Sequence, residues 1–342
     1  MHDTAEQIGD GEPSDSETPG SEPRRFSEHS RMARHELEAK FTHARAGIEG
    51  ANERLKEANE RIKQRTGRDL IVATLIGVAI GAAVLACLLF VKWIFIFFAL
   101  GASSLAIFEL SRALNAAGRR VDIVPQLIAG AVLVAVGYFA SPDLHWIALV
   151  AAVAFLVVWR LVAQMIARDS RPYSAVLSDV LIGSFVHLYI AFFASLAMAL
   201  LAQDGGEWWV AAFITIAVAA DTGAYVTGLT LGRHPMAPRI SPKKTWEGFA
   251  GAVVVALTVG VLIAIFALGL PFWAGLIIGA AITATATVGD LGESMMKRDL
   301  GIKDMSSWLP GHGGVLDRLD SILPSSLAAL VLYQLLTPLA NS

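Results

Sequence analysis

The sequence predicts an all-α, polytopic membrane helical bundle of about nine transmembrane helices, preceded by a polar N-terminal extension. Three observations predict it. Of 342 residues, 55% are hydrophobic and only 17% charged, where a soluble chain carries about 25% charged residues. The charges are clustered, which leaves apolar runs of roughly 18 residues or more, the length that crosses hydrocarbon. Basic residues also fall in alternate loops, as they do in chains threaded through a bilayer. The single cysteine, Cys87, lies in an apolar run and has no partner for an internal disulfide.

Residues 1–30 are acidic, rich in Ser, Pro and Gly, and nearly free of apolar side chains. They cannot bury enough surface to offset ordering entropy, so a disordered tail is expected. No cleavable signal peptide is expected, because roughly the first sixty residues are polar throughout. Residues 31–68 change character. Leu37, Phe41, Ala44, Ile48, Ala51, Leu55, Ala58 and Ile62 recur at heptad spacing among charged residues. Gly47 and Gly50 each weaken that helix by about 1 kcal/mol. A solvated cytoplasmic helix is favoured over a self-pairing or partner-binding one.

The membrane domain, residues 69–342, divides into apolar runs at 70–91, 93–110, 123–140, 145–159, 176–202, 208–231, 249–270, 272–291 and 322–340. Segments 63–68, 112–120, 160–171, 233–244 and 297–318 hold the Lys and Arg residues. The alternate loops hold only one basic residue, Lys92. This pattern predicts a multi-pass protein of the cell membrane with its N-terminus in the cytoplasm. No internal repeat and no matched pair of broken helices is visible, which argues against a secondary transporter.

Ionisable residues within spans are costly and mark the chemistry. Glu109 has Arg112 three residues on and reads as a local ion pair. Asp221 lies inside the sixth run, with Tyr225 on the same helical face. The following loop carries Ser241, Pro242, Lys243, Lys244 and Thr245 directly before the seventh run. Donors at a helix start beside two ammonium groups suit a phosphate. Asp290, Glu293, Ser294 and Lys297 share one face at the end of the eighth run. A surface ion-pair ladder explains Glu293 and Lys297 well but Asp290 poorly. Arg298, Lys303, His312, Gly313, Gly314, Asp317, Arg318 and Asp320 follow. The glycines let backbone N–H groups approach a ligand.

Asp221, Asp290, Asp317 and Asp320 therefore gather at one depth from three runs. Carboxylates without cysteine form a hard-oxygen site that matches Mg2+. Lys243, Lys244, Lys297, Arg298, Lys303 and Arg318 supply positive charge for a polyphosphate. No GxxxxGK[ST] or GxGxxG run is present, so neither common soluble nucleotide fold applies.

The run Ser294-x2-Lys297-Arg298-x4-Lys303-Asp304-x-Ser306-x2-Leu309-Pro310-x-His312-Gly313-Gly314-Val315-x-Asp317-Arg318-Leu319-Asp320 resembles the signature of the phosphatidate cytidylyltransferases, the CDP-diacylglycerol synthases. The elements around Asp221, Ser241–Thr245 and Gly289-Asp290 are similar to that family as well. Two features depart from it: Gly292 stands where a larger, often aromatic residue is expected, and the polar region before Leu70 lies outside the pattern. The resemblance implies a nucleotidyltransferase of phospholipid biosynthesis that makes CDP-diacylglycerol and pyrophosphate from CTP and phosphatidic acid. It implies Asp221, Asp290, Asp317 and Asp320 as metal ligands. Lys243, Lys244, Lys297, Arg298 and Arg318 would be phosphate clamps, and His312, Gly313 and Gly314 would line the nucleotide. The expected partners are both substrates and the bilayer, with no nucleic acid and with a homodimer left open. A CTP-dependent lipid kinase of related architecture is the nearest alternative. A proton-coupled transporter is the non-enzyme rival, disfavoured because the carboxylates cluster toward one face.

Overall fold

Every apolar run read as a membrane span is helical in the computed structural model, which describes residues 70–167, 170–306 and 313–340. The expectations for residues 1–30 and 31–68, and for His312, lie outside the described residues. In chain order the helices are α1 (Leu70–Phe90), α2 (Lys92–Ala116), α3 (Ile123–Phe139), α4 (Pro142–Ala167) and α5 (Tyr173–Val186). The last continues through a π-helical turn, π1 (His187–Phe192), into α6 (Phe193–Leu201). Then come α7 (Gly206–Leu231), α8 (Trp246–Phe266), α9 (Phe272–Asp299), the short α10 (Leu316–Leu319) and α11 (Ile322–Ala340). Seven helical paths are long and apolar enough to cross a membrane, with α3 and Gly81–Phe90 as shorter apolar helices. The chain is a multi-pass membrane protein.

Side-chain burial follows the same logic. Ile107, Leu133, Ile190, Met198, Phe213, Ile216 and Ile282 are fully buried between helices, whereas Phe97, Val150, Val254 and Phe266 point outward. Lipid is as apolar as those outward side chains, so helix association in the bilayer depends on close packing and interhelical hydrogen bonds. The pairing of α7 with α8 shows this closely: a Cβ on Gly251 would sit 2.1 Å from Thr227 Oγ1. Only glycine lets these two helices approach so nearly.

The segment after α7 departs from expectation. It reads as a loop, yet Pro235–Ala237 (β1) and Ser241–Thr245 (β2) pair as an antiparallel hairpin. Proline and clustered cations hide the strand pattern. The hairpin is fixed instead at its base, where the Trp246 N–H donates to the His234 carbonyl at 2.9 Å. Glu247 accepts from the Arg233 and His234 amides at 3.1 and 3.2 Å and pairs with His234 Nδ1 at 2.5 Å.

Contacts also sort the helix ends. At one end Lys92 pairs with Glu207 at 2.9 Å, and Tyr333 donates to the Asp204 carbonyl at 3.2 Å. At the other, Asp179 on α5 is buried and accepts from the Arg120 amide (3.0 Å), Arg171 (2.9 Å) and Arg160 (3.2 Å). The basic loops that read as topology anchors are thus also knotted together by one carboxylate. Removing one partner of such a buried set leaves uncompensated charge, so Asp179→Ala should cost about 3–5 kcal/mol. Thermal unfolding of the purified variant in detergent measures this.

Candidate active site

The site forms where α7, the hairpin, α9 and the start of α11 meet. Helix α9 is its backbone. Its apolar N-terminal part packs in the bundle, and its last turns carry Asp290, Glu293, Ser294, Lys297 and Arg298. At Gly289 a Cβ would lie 2.1 Å from the Asp320 carbonyl oxygen. The missing side chain therefore seats the start of α11 against α9, and brings Asp320 beside Asp290.

Each sequence-predicted group can now be placed. Asp290 pairs with the Lys244 ammonium from β2. Asp221, exposed on α7, accepts from Ser321 Oγ at 2.9 Å. Asp320 is buried and accepts from the Ser321 amide at 2.7 Å. Asp221 on α7, Asp290 on α9 and Asp320 in the turn between α10 and α11 lie near enough for their charges to act on one another. Asp317 is turned elsewhere. One of its oxygens accepts from Lys297 at 2.8 Å, and the other from the Met305 and Gly314 amides at 3.1 and 2.7 Å.

Several expected roles change in this geometry. Lys297 and Glu293 do not form a surface ladder, because Glu293 is wholly buried and its carboxylate pairs with the Lys297 ammonium. Lys297 thereby bridges Glu293 on α9 and Asp317 on α10. Thr245 caps α8, accepting from the Gly248 amide at 3.1 Å. Its side-chain oxygen is therefore occupied within the chain. The Gly314 N–H is spent on Asp317, while Gly313 has a positive φ of 82° that turns the chain into that contact. Arg298 Nε donates to the Ile240 carbonyl at 3.1 Å and steadies the hairpin turn. Lys243 on β2 and Lys303 in the segment after α9 are exposed, and Ser241 is partly exposed on β2. Arg318 stands on α10 between Asp317 and Asp320. At Gly292 a Cβ would meet nothing within 4 Å, so the small residue opens space without disturbing a contact.

Sequence reasoning missed Ser321, which joins Asp221 to the start of α11. It also misplaced Glu109. That carboxylate does not turn to Arg112 but accepts from Ser306 Oγ at 2.5 Å and from the Val315 and Leu316 amides at 3.0 and 2.9 Å. No local spacing signals a partner so far along the chain.

Could this set hold a divalent cation? Its donors are hard carboxylate oxygens, the chemistry that suits Mg2+. Among the described residues, no three His, Cys, Asp or Glu side chains converge closely enough to hold a metal ion. The physical reason is that each carboxylate is turned to a donor of the chain: Lys244, Ser321 or Lys297. An ionised carboxylate has about four lone-pair sites. Asp221, Asp290 and Asp320 each use few of theirs. The donor set fits a hard cation in kind, and Asp317 is the member with least capacity left.

The cytidylyltransferase family model matches residues 71–336, nearly the whole membrane domain. The chain belongs to the cytidylyltransferase family. It is 38% identical over 288 residues to the phosphatidate cytidylyltransferase of Mycobacterium bovis, covering 80% of this chain and 90% of the relative. The Mycobacterium leprae phosphatidate cytidylyltransferase is 38% identical over 287 residues, with the same coverage of both chains. The Haemophilus influenzae phosphatidate cytidylyltransferase is 45% identical over a shorter 109 residues, 30% of this chain. The end of the bundle that carries Asp221, Asp290 and Asp320 also presents Lys244 and the exposed Lys243.

Proposed function

We propose that this cytidylyltransferase transfers CMP from CTP to phosphatidic acid, giving CDP-diacylglycerol and pyrophosphate. The observation that carries the reading is the meeting of Asp221, Asp290 and Asp320 beside Lys244 at one end of a membrane bundle. Likeness to phosphatidate cytidylyltransferases over most of both chains supports the choice of nucleotide and lipid.

A phosphate oxygen of the lipid attacks the α-phosphorus of CTP in line. The new P–O bond forms as the bond to the β-phosphate bridging oxygen breaks, and pyrophosphate leaves with that electron pair. A phosphate monoester is nucleophilic enough near neutral pH that no strong general base is needed. Positioning and charge neutralisation therefore carry the rate. Asp221, Asp290, Asp320 and, with its remaining capacity, Asp317 would hold Mg2+, which when bound neutralises charge on the phosphates. Lys243 and Lys303, exposed, would meet the phosphates first. Lys244, held by Asp290, would supply positive charge to a phosphate. Lys297 holds Asp317 in register, and Arg298 holds the hairpin that carries Lys243 and Lys244. Asp221, on the outer face of α7, is where a lipid headgroup entering sideways from the leaflet would arrive.

Basic residues at the site end of the bundle favour an orientation with the N-terminus and the site in the cytoplasm, in the cell membrane. Purified protein supplied with Mg2+, CTP and phosphatidic acid should release pyrophosphate in proportion to lipid consumed. Release of CDP instead would identify a lipid kinase and overturn the proposal.

A further inference from the structure

Glu109 is a buried carboxylate that the mechanism above does not use. It lies on α2, in the first half of the chain, and is 2% exposed. Its Oε1 accepts from Ser306 Oγ at 2.5 Å and from the Val315 amide at 3.0 Å, and its Oε2 accepts from the Leu316 amide at 2.9 Å. Hydrogen bonds to an ionised acceptor are roughly twice as strong as neutral ones. This one side chain thus bonds to Ser306 and to the backbone at 315 and 316.

Any other residue at position 314 would push this carboxylate aside. A Cβ on Gly314 would lie 2.7 Å from Glu109 Oε2 and 3.0 Å from Oε1. From the opposite side Asp317 takes the Met305 and Gly314 amides, while its other oxygen meets Lys297. Glu109 and Asp317 therefore hold the same short stretch of backbone between them. Glu109 fixes the amides of 315 and 316, and so fixes where Asp317, the next residue but one, presents its carboxylate.

We infer that Glu109 is a positioning residue for cytidylyl transfer: its carboxylate fixes the backbone at Ser306 and at 314–316, and so sets the placement of Asp317 and Lys297. This rests on the reaction proposed above. Glu109 touches neither substrate in this account and acts through Ser306 and residues 314–316.

The test compares Glu109→Ala, Glu109→Gln and Ser306→Ala in the full chain, each assayed well below its own melting temperature. Misplacement at a distance from the chemistry can cost about 100-fold, so Glu109→Ala should lose about that much in kcat, with KM for phosphatidic acid unchanged. Glu109→Gln keeps one acceptor oxygen and should fall between Glu109→Ala and wild type. If Glu109→Ala fails to fold, Glu109→Gln and Ser306→Ala carry the comparison. A merely structural anchor would leave kcat of the folded variants within about threefold of wild type, and that result overturns the inference. Amide hydrogen exchange gives a readout independent of turnover: Val315 and Leu316 should exchange at least about 10-fold faster in Glu109→Gln, as expected for a lost charge-assisted bond. Unchanged protection overturns the inference as well. If wild-type protein makes no CDP-diacylglycerol, the reaction proposal fails, while exchange at 315 and 316 still decides whether Glu109 holds the loop.

Discussion

Asp290→Asn is expected to abolish CTP-dependent turnover, a fall of about a thousandfold in kcat if it acts as strongly as a preorganised electrostatic group elsewhere. The neutral amide keeps the shape of the side chain. It cannot balance Lys244, however, and it is a poor ligand for a hard cation that must neutralise a triphosphate. Asp290 is partly exposed, and its neighbour Gly289 makes the packing contact with α11, so the bundle should survive the change. Assay of variant protein with an unaltered elution profile measures this, and wild-type turnover would sink the assignment of Asp290 to the cation site.

Lys297→Met is expected to be strongly destabilising. Glu293 is fully buried and pairs with this ammonium, and Asp317 meets it from the other side. Truncating the cation strands a buried carboxylate, at a cost of about 3–5 kcal/mol. Adding Glu293→Gln removes the stranded charge. The double variant Glu293→Gln/Lys297→Met should recover much of the melting temperature but little activity, because Asp317 still lacks its partner. Additive losses in the two single variants would show that these side chains do not act as a unit.

These expectations separate what the sequence could reveal from what it could not. Helix existence was legible, because a run such as 272–291 leaves no alternative in a bilayer. Asp221 and Asp290 stand out in the sequence too, since charge within an apolar run is rarely idle. Partners were harder. Arg112 stands three residues from Glu109, yet the carboxylate bonds to the Leu316 amide, 207 residues away. Only tertiary packing of α2 against the segment after α9 makes that choice. Glu293 likewise shows the spacing of a solvent ladder, and burial turns it into an internal pair. The hairpin at 235–245 was hidden because its strands owe their pairing to Glu247 and the base of α8 rather than to alternating apolar side chains. Nor does local spacing reveal that Asp179 pairs with both Arg160 and Arg171.

The central claim is that the α-phosphoryl group of CTP, with its cytidine, ends up on the lipid. The most direct measurement gives purified protein, Mg2+ and phosphatidic acid two batches of CTP, one labelled at the α-phosphate and one at the γ-phosphate. The account predicts label in the lipid phase from the α-labelled batch alone, with the γ label leaving as pyrophosphate. Lipid labelled from the γ position, or from neither, would contradict it.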